Sequence, residues 1–204
     1  MKNKTKFIKY FIILLLILIV TVISIDVIID FFKDISDSFN RTVIVEKRYI
    51  LFFKGLKSTL LISFLSIVFG TLLGFILFLL QKSKIKVLNI LSYIIVRFLQ
   101  GVPVTVLLLT FYFGIFGDIS IEPILVAIIA FSIYFSAYVS EIVKGAFLSI
   151  NRTQIDSAYA LGFTKLQTVR YIIIPQVLSY VIPVYKNESV SLIKSTSIAG
   201  YISV

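Results

Sequence analysis

The sequence contains no cysteine, which excludes a disulfide framework and any thiolate site. It contains no histidine either. The commonest general base and the commonest metal ligand are therefore both missing, and a Ser-His-Asp triad cannot be assembled. The ten acidic residues are scattered, with no cluster at metal-ligand spacing. No glycine-rich phosphate loop is found, so the chain does not bind ATP by a P-loop. With no nucleophile–base pair and no metal set, an enzyme is the least expected class, and neither a catalytic residue nor a metal ligand is assigned. Charge is scarce as well. Only 15% of the 204 residues are charged, 59% are hydrophobic, and the mean hydropathy is +1.05. A soluble domain of this size needs far more polar surface. Lipid is therefore the solvent for most of the chain, and its length is best counted in spans of roughly 20 apolar residues.

What charge there is sums to +10. In a soluble protein this would suggest nucleic acid. In so apolar a chain, basic residues are read instead as anchors of cytoplasmic loops, and no nucleic-acid partner is expected. Lys2, Lys4, Lys6 and Lys9 precede an apolar run from Phe11 to Ile25. No small-x-small cleavage site follows, so the run is taken as an uncleaved first span, about 7–29, rather than a signal peptide. Residues 30–49, of mixed charge, are expected to form an external amphipathic connector. A second span covers about 56–81 and carries Gly70-x-x-x-Gly74, a pattern that lets two helix backbones approach closely but also arises by chance. Lys82, Lys84 and Lys86 argue for the cytoplasm. The stretch 87–117 would be about 46 Å long as one straight helix, more than the roughly 30 Å hydrocarbon core. Pro103 lies inside it, and a kink or break at Val102-Pro103 is expected. Gly117-Asp118 makes an external turn, a fourth span covers about 121–144, and a fifth apolar stretch covers about 172–203, with Pro183 inside it. The expected fold is thus all-α, a polytopic transmembrane bundle of about five spans, with the N-terminus cytoplasmic.

The segment 145–175 is polar by comparison. Arg152, Lys165 and Arg170, with Lys144 at its edge, face only Asp156, and the positive-inside rule makes it cytoplasmic. Two short helices are legible in it. Asn151 is an N-cap with Gln154 at capping-box spacing, and the helix runs to Leu161. Gly162 supplies the left-handed position that ends it. A second box, Thr164 to Gln167, opens a helix that runs until Pro175. Ile155, Ala158, Tyr159 and Leu161 give the first helix an apolar side. Either that side docks a cytoplasmic partner in a groove, or the loop packs back on its own bundle.

Asp156-Ser157-Ala158, Gly162 and Ile172-x-Ile174-Pro175 resemble the EAA loop of ABC-importer permeases, with Asp for the usual Glu and Ser for the usual Ala. Flanking stretches resemble the polar amino-acid group of that family over about residues 50–200. They are Lys54-Gly55-Leu56 through Leu60, Gly101 and Pro103 with Phe111 to Gly114, Ser136-Ala137-Tyr138 through Gly145, and Asn187 with Lys194 to Ser197. The resemblance implies two parts, residues 1–49 as a first span plus connector and 50–204 as the permease core with its coupling loop at 145–175. It also implies a second permease copy or homologue, ABC ATPase subunits that bind and use ATP, an external solute-binding protein, and a bacterial cell membrane. This chain itself would bind no cofactor. In that picture Gly162 makes the turn between the coupling helices, Leu161 and Phe163 are apolar knobs, and Asp156 caps or pairs at the ATPase. The family also implies one further span beyond the Lys194–Ser197 region, so the core is expected to be C-terminally incomplete at Val204.

Candidate pathway residues are Gln100, Pro103, Tyr138, Glu141 and Lys194. Glu141 lies about one turn from the end of its span, where a charge still costs free energy. It either lines the pathway or pairs with Arg97 on the preceding helix, or with Lys144 locally. Lys194 faces the pathway or snorkels outward. Gln100 stands where the family has Arg, Val102 where it has Thr, and Ser195 where it has Asp. The solute is therefore expected to be an amino acid or small polar molecule of undefined identity. Two rivals remain: a permease for another small solute, and a membrane-anchored interaction or sensor protein with a docking loop.

Overall fold

α5 (Pro123–Leu148) is the helix around which the bundle is built: 61% of its apolar window is buried, against 28% for α2 (Tyr49–Gln81). A computed structural model of the chain describes residues 25 and 27–202. It divides into two compact units, Met1–Lys54 and Gly55–Val204. Most of the expected first span, 7–29, lies outside the described residues; its last few are helical. They open α1, residues 27–39, which passes through a π-type turn, Asn40–Ile44, and a short 3-10 turn, Val45–Lys47. Phe31, Ile35 and Phe39 recur at four-residue spacing beside Asp30, Lys33, Asp34 and Asp37. That spacing puts the apolar residues on one face, so the connector is an amphipathic helix, almost wholly exposed.

In the second unit, α2 ends at Gln81, where Lys82, Ser83 and Lys84 turn the chain. Ser83 Oγ accepts the Ile85 N–H (3.2 Å) just before α3 (Lys86–Gly101). The expected break follows. Val102 is extended (φ −95°, ψ 127°), as a residue before proline prefers, and Pro103 starts α4 (Val104–Leu109). α4 runs on through a π-type turn, Thr110–Ile115, and its axis is bent 106° from that of α3. The excess length of 87–117 is thereby turned aside rather than carried straight across a bilayer. Gly117-Asp118 forms the turn into α5.

Small residues let α5 be the centre. Ala127, Ala130, Ser132, Ser136, Ala137 and Ser140 are all buried. Gly70 and Gly74 of α2 lie directly on this surface. A Cβ at Gly70 would come within 2.9 Å of Ser132 O and Phe135 Cβ, and one at Gly74 within 2.7 Å of Ser136 O and Val139 Cβ. The pair is therefore a true backbone-to-backbone contact and not a chance pattern. Ser66, one turn before Gly70, donates across the same seam to Ile128 O (3.4 Å), and Thr71 Oγ1 bonds Tyr185 OH of the last long helix (2.7 Å).

The last part of the chain departs from expectation. The helix opened by Thr164 does not stop at Pro175. α7 (Lys165–Thr168) continues through a π-type turn, Val169–Ile173, into α8 (Ile174–Ser195) and a 3-10 end, Thr196–Ile202. The Ile174 N–H reaches Val169 O, five residues back. Such a turn resets the hydrogen-bond register, and Pro175 then sits at the start of the new helix, where its missing N–H is tolerated. The fifth stretch thus begins at Lys165, inside the expected loop. Among the described residues, three helices, Tyr49–Gln81, Pro123–Leu148 and Lys165–Ile202, are long and apolar enough to cross a membrane, or four if the bent α3–α4 pair is counted as one span. These correspond to the second through fifth expected spans. No strand occurs among the described residues.

Candidate functional site

The loop between α5 and α8 is a built structure. Asn151 Oδ1 accepts the Thr153 N–H (3.0 Å) and caps α6 (Arg152–Ala160). The expected box at this end does not close. Gln154 Oε1 instead accepts from Gln176 Nε2 (2.7 Å), which also donates to Ile172 O (3.0 Å), and the pair ties α6 to the start of α8. At the other end of α6, the Phe163 N–H reaches Ala158 O and the Gly162 N–H reaches Tyr159 O, both at 3.0 Å. These are the two bonds of a Schellman motif, with Gly162 at φ +81° in the left-handed position that glycine takes without a Cβ penalty. The second box closes fully: Thr164 Oγ1 accepts the Gln167 N–H (3.3 Å), and Gln167 Oε1 accepts the Thr164 N–H (2.8 Å).

Rigid at both ends, the loop divides its apolar residues into two sets. Ala158 and Thr168 are buried, Ile155 and Ile172 half-buried. Tyr159, Leu161, Phe163 and Leu166 are exposed, Leu161 at 78% and Leu166 at 77%. The loop therefore both packs on its own chain and presents an uncovered apolar tip. Asp156, Ser157 and Pro175 are exposed beside it, and among the described residues the Asp156 side chain makes no hydrogen bond or ion pair.

Of the pathway candidates, Tyr138 and Glu141 lie on one face of α5. Tyr138 OH accepts from Tyr134 OH (3.1 Å). Glu141 Oε1 takes Lys144 Nζ at 3.1 Å, so the local pair forms and the Arg97 pair does not. Arg97 donates to Tyr93 OH (3.1 Å) on its own helix, and Lys144 Nζ stands 4.8 Å over the Tyr93 ring. Tyr93 and Lys144 thus intervene between Arg97 and Glu141, and the cluster joins α3 to α5. Gln100 is half-buried at the end of α3, Pro103 and Lys194 are exposed; none makes a polar side-chain contact with this cluster among the described residues. Sequence reasoning passed over Tyr93, Tyr134 and Glu188. Glu188 is half-buried on α8 and, among the described residues, has no hydrogen-bond or ion-pair partner. An acid within a membrane-crossing helix is itself the signal that marks it.

Several membrane-length helices, one broken at a proline, define a polytopic membrane component whose capped loop leaves its apolar tip uncovered. Residues 66–203 match the family described as binding-protein-dependent transport system inner membrane component. The chain belongs to that family, whose members are transport components and not enzymes. It is 39% identical over 153 residues to a probable amino-acid ABC transporter permease protein, YckA, of Bacillus subtilis (strain 168), covering 74% of this chain and 67% of that one. It is 34% identical over 151 residues to the L-cystine transport system permease protein TcyB of the same organism, covering 74% and 64%. The chain thus spans about two thirds of the length of these relatives. A crystal structure of an amino acid ABC transporter with histidines superposes with a TM-score of 0.71 at 31% identity, covering 78% of this chain and 74% of that one.

Proposed function

We propose that this chain is the membrane subunit of an ATP-driven importer of amino acids or similar small polar solutes. The observation that carries the reading is the loop tip: Leu161 and Leu166, held out by a Schellman turn and a closed capping box, are the shape of a plug for a groove on an ATPase subunit. Asp156, Ser157, Ala158, Gly162, Phe163, Ile172 and Pro175 complete that coupling element, Asp156 as the exposed carboxylate available to the partner. ATP is bound and used by the ATPase subunits and not by this chain. A solute-binding protein delivers from outside. The basic residues at 82–86 and 144–170 support a cytoplasmic loop and a cytoplasmic N-terminus. Residues 50–204 form the permease core, and residues 1–49 a first span with its connector. A second permease copy or homologue covers the Lys165–Ile202 helix, whose apolar window is only 6% buried. The relatives named for amino-acid and cystine transport support the solute class. Gln100, Pro103, Tyr138, Glu141 and Lys194 are the pathway candidates, to which Glu188 is added. Coupling is a two-state rocking biased by nucleotide on one face and solute on the other.

The test is ATP hydrolysis by the assembled complex in proteoliposomes, screened against the protein amino acids with the binding protein present. Stimulation by one or a few of them is expected, and Glu141→Gln should change the rate or the preference among solutes. Hydrolysis indifferent to every amino acid would contradict the solute class.

A further inference from the structure

A further cavity adjoins the coupling loop, sharing Lys144 with the Glu141 cluster and Arg152 with the start of α6. It holds about 380 Å³ between the end of α2 and the end of α5, beside the Lys82–Lys86 turn. Gln81 lines it. This side chain is only 9% exposed, and neither its Nε2 nor its Oε1 has a hydrogen-bond partner. A buried amide with both ends unmet is a standing destabilisation, and its chemistry describes what is missing: a group that accepts one hydrogen bond and donates another. Lys82, Lys144 and Arg152 share the cavity. Lys144 is partly neutralised by Glu141, while Lys82 and Arg152 make no ion pair among the described residues. The ring faces of Phe78 and Phe147 are stacked (5.4 Å between centroids, 19° between planes). They hold the Lys82 ammonium at 4.9 and 4.3 Å.

We infer that this cavity binds the headgroup of an anionic phospholipid that carries hydroxyls, such as phosphatidylglycerol. The phosphate oxygens accept from Lys82 and Arg152, and the Gln81 amide, whose Nε2 and Oε1 are both sealed off here, turns into the cavity so that Nε2 donates to a phosphate oxygen and Oε1 accepts from a headgroup hydroxyl. The position suits a lipid, because the site lies where two membrane-crossing helices end and where anionic headgroups are met. Phe147 and Leu148, 37% and 76% exposed, offer the apolar rim that the start of the acyl chains needs. A zwitterionic ethanolamine head would bring a second cation against the basic residues.

Native mass spectrometry of the purified chain, released from bilayers of mixed composition, reads the occupancy directly. Phosphatidylglycerol is expected to be retained over phosphatidylethanolamine. Lys82→Gln and Arg152→Gln should each weaken retention by about fivefold, while Lys84→Gln, on the same turn but outside the cavity, leaves it unchanged. Gln81→Leu should erase the preference for phosphatidylglycerol over phosphatidic acid, which lacks the headgroup hydroxyls. The proposal is overturned by equal retention of the zwitterionic lipid, by an equal response to Lys84→Gln and Lys82→Gln, or by displacement of the lipid by inorganic phosphate alone, which would mark a free-anion site. Loss of the lipid when the ATPase subunits assemble would assign the cavity to that interface instead, and also overturns it.

Discussion

Gly74→Leu is expected to prevent α2 from seating on α5 and to remove most of the folded chain from a detergent extract. The Cβ alone would lie 2.7 Å from both Ser136 O and Val139 Cβ, and 2.9 Å from Val139 Cγ1. Two of those three atoms are fixed to the α5 backbone and cannot swing away. Either the helices part along the seam that Ser66, Gly70 and Gly74 form, or α5 deforms where it is most buried. Overpacking of this kind costs about 1–3 kcal/mol, occasionally more. A one-step loss of about 3 kcal/mol lowers the ratio of folded to unfolded chain by roughly a hundredfold. Gly55→Leu, on the same helix with nothing within 4 Å of its Cβ, is the control. It should leave the yield and the elution profile on size exclusion unchanged.

The second large effect is expected at the loop tip. Leu161→Asp combined with Leu166→Asp should abolish co-purification of the ATPase subunits while leaving the chain itself folded. Both side chains are more than three-quarters exposed, so their loss removes nothing from the core. Covered by a partner, each leucine contributes about 1.5–3 kcal/mol. Removing two, and setting carboxylates in an apolar groove, lowers affinity by a hundredfold or more as an order of magnitude. Normal ATPase recovery with the double variant would remove the tip from the coupling element.

Much of the architecture was legible because its causes are local. A proline dictates its own break, and the bend at Val102-Pro103 followed. Thr164 and Gln167 are three residues apart and close their box without help from elsewhere. Gly162 takes the left-handed position that its place between two helices requires. What escaped depends on contacts between distant segments. Gln154 has capping-box spacing, yet it is drawn to Gln176, a residue twenty-two positions away. Pro175 reads as a stop, but a π-type turn just before it carries the helix through. α2 and α5 are similarly apolar all round, so periodicity could not say which is central. The distinction came from the small residues that meet Gly70 and Gly74. Among the candidate site residues, the turn and caps that hold out the loop tip were visible as a motif. The link from Glu141 through Lys144 and Tyr93 to Arg97 was not, because it needs the register of α3 against α5.

The absence of native cysteine allows the central claim to be read with a single introduced thiol. Leu161→Cys should react with a membrane-impermeant maleimide in inverted vesicles and be silent in intact cells, and assembly with the ATPase subunits should shield it. Reaction from the outer face of intact cells would contradict a cytoplasmic lever, and with it the proposed link between nucleotide and transport.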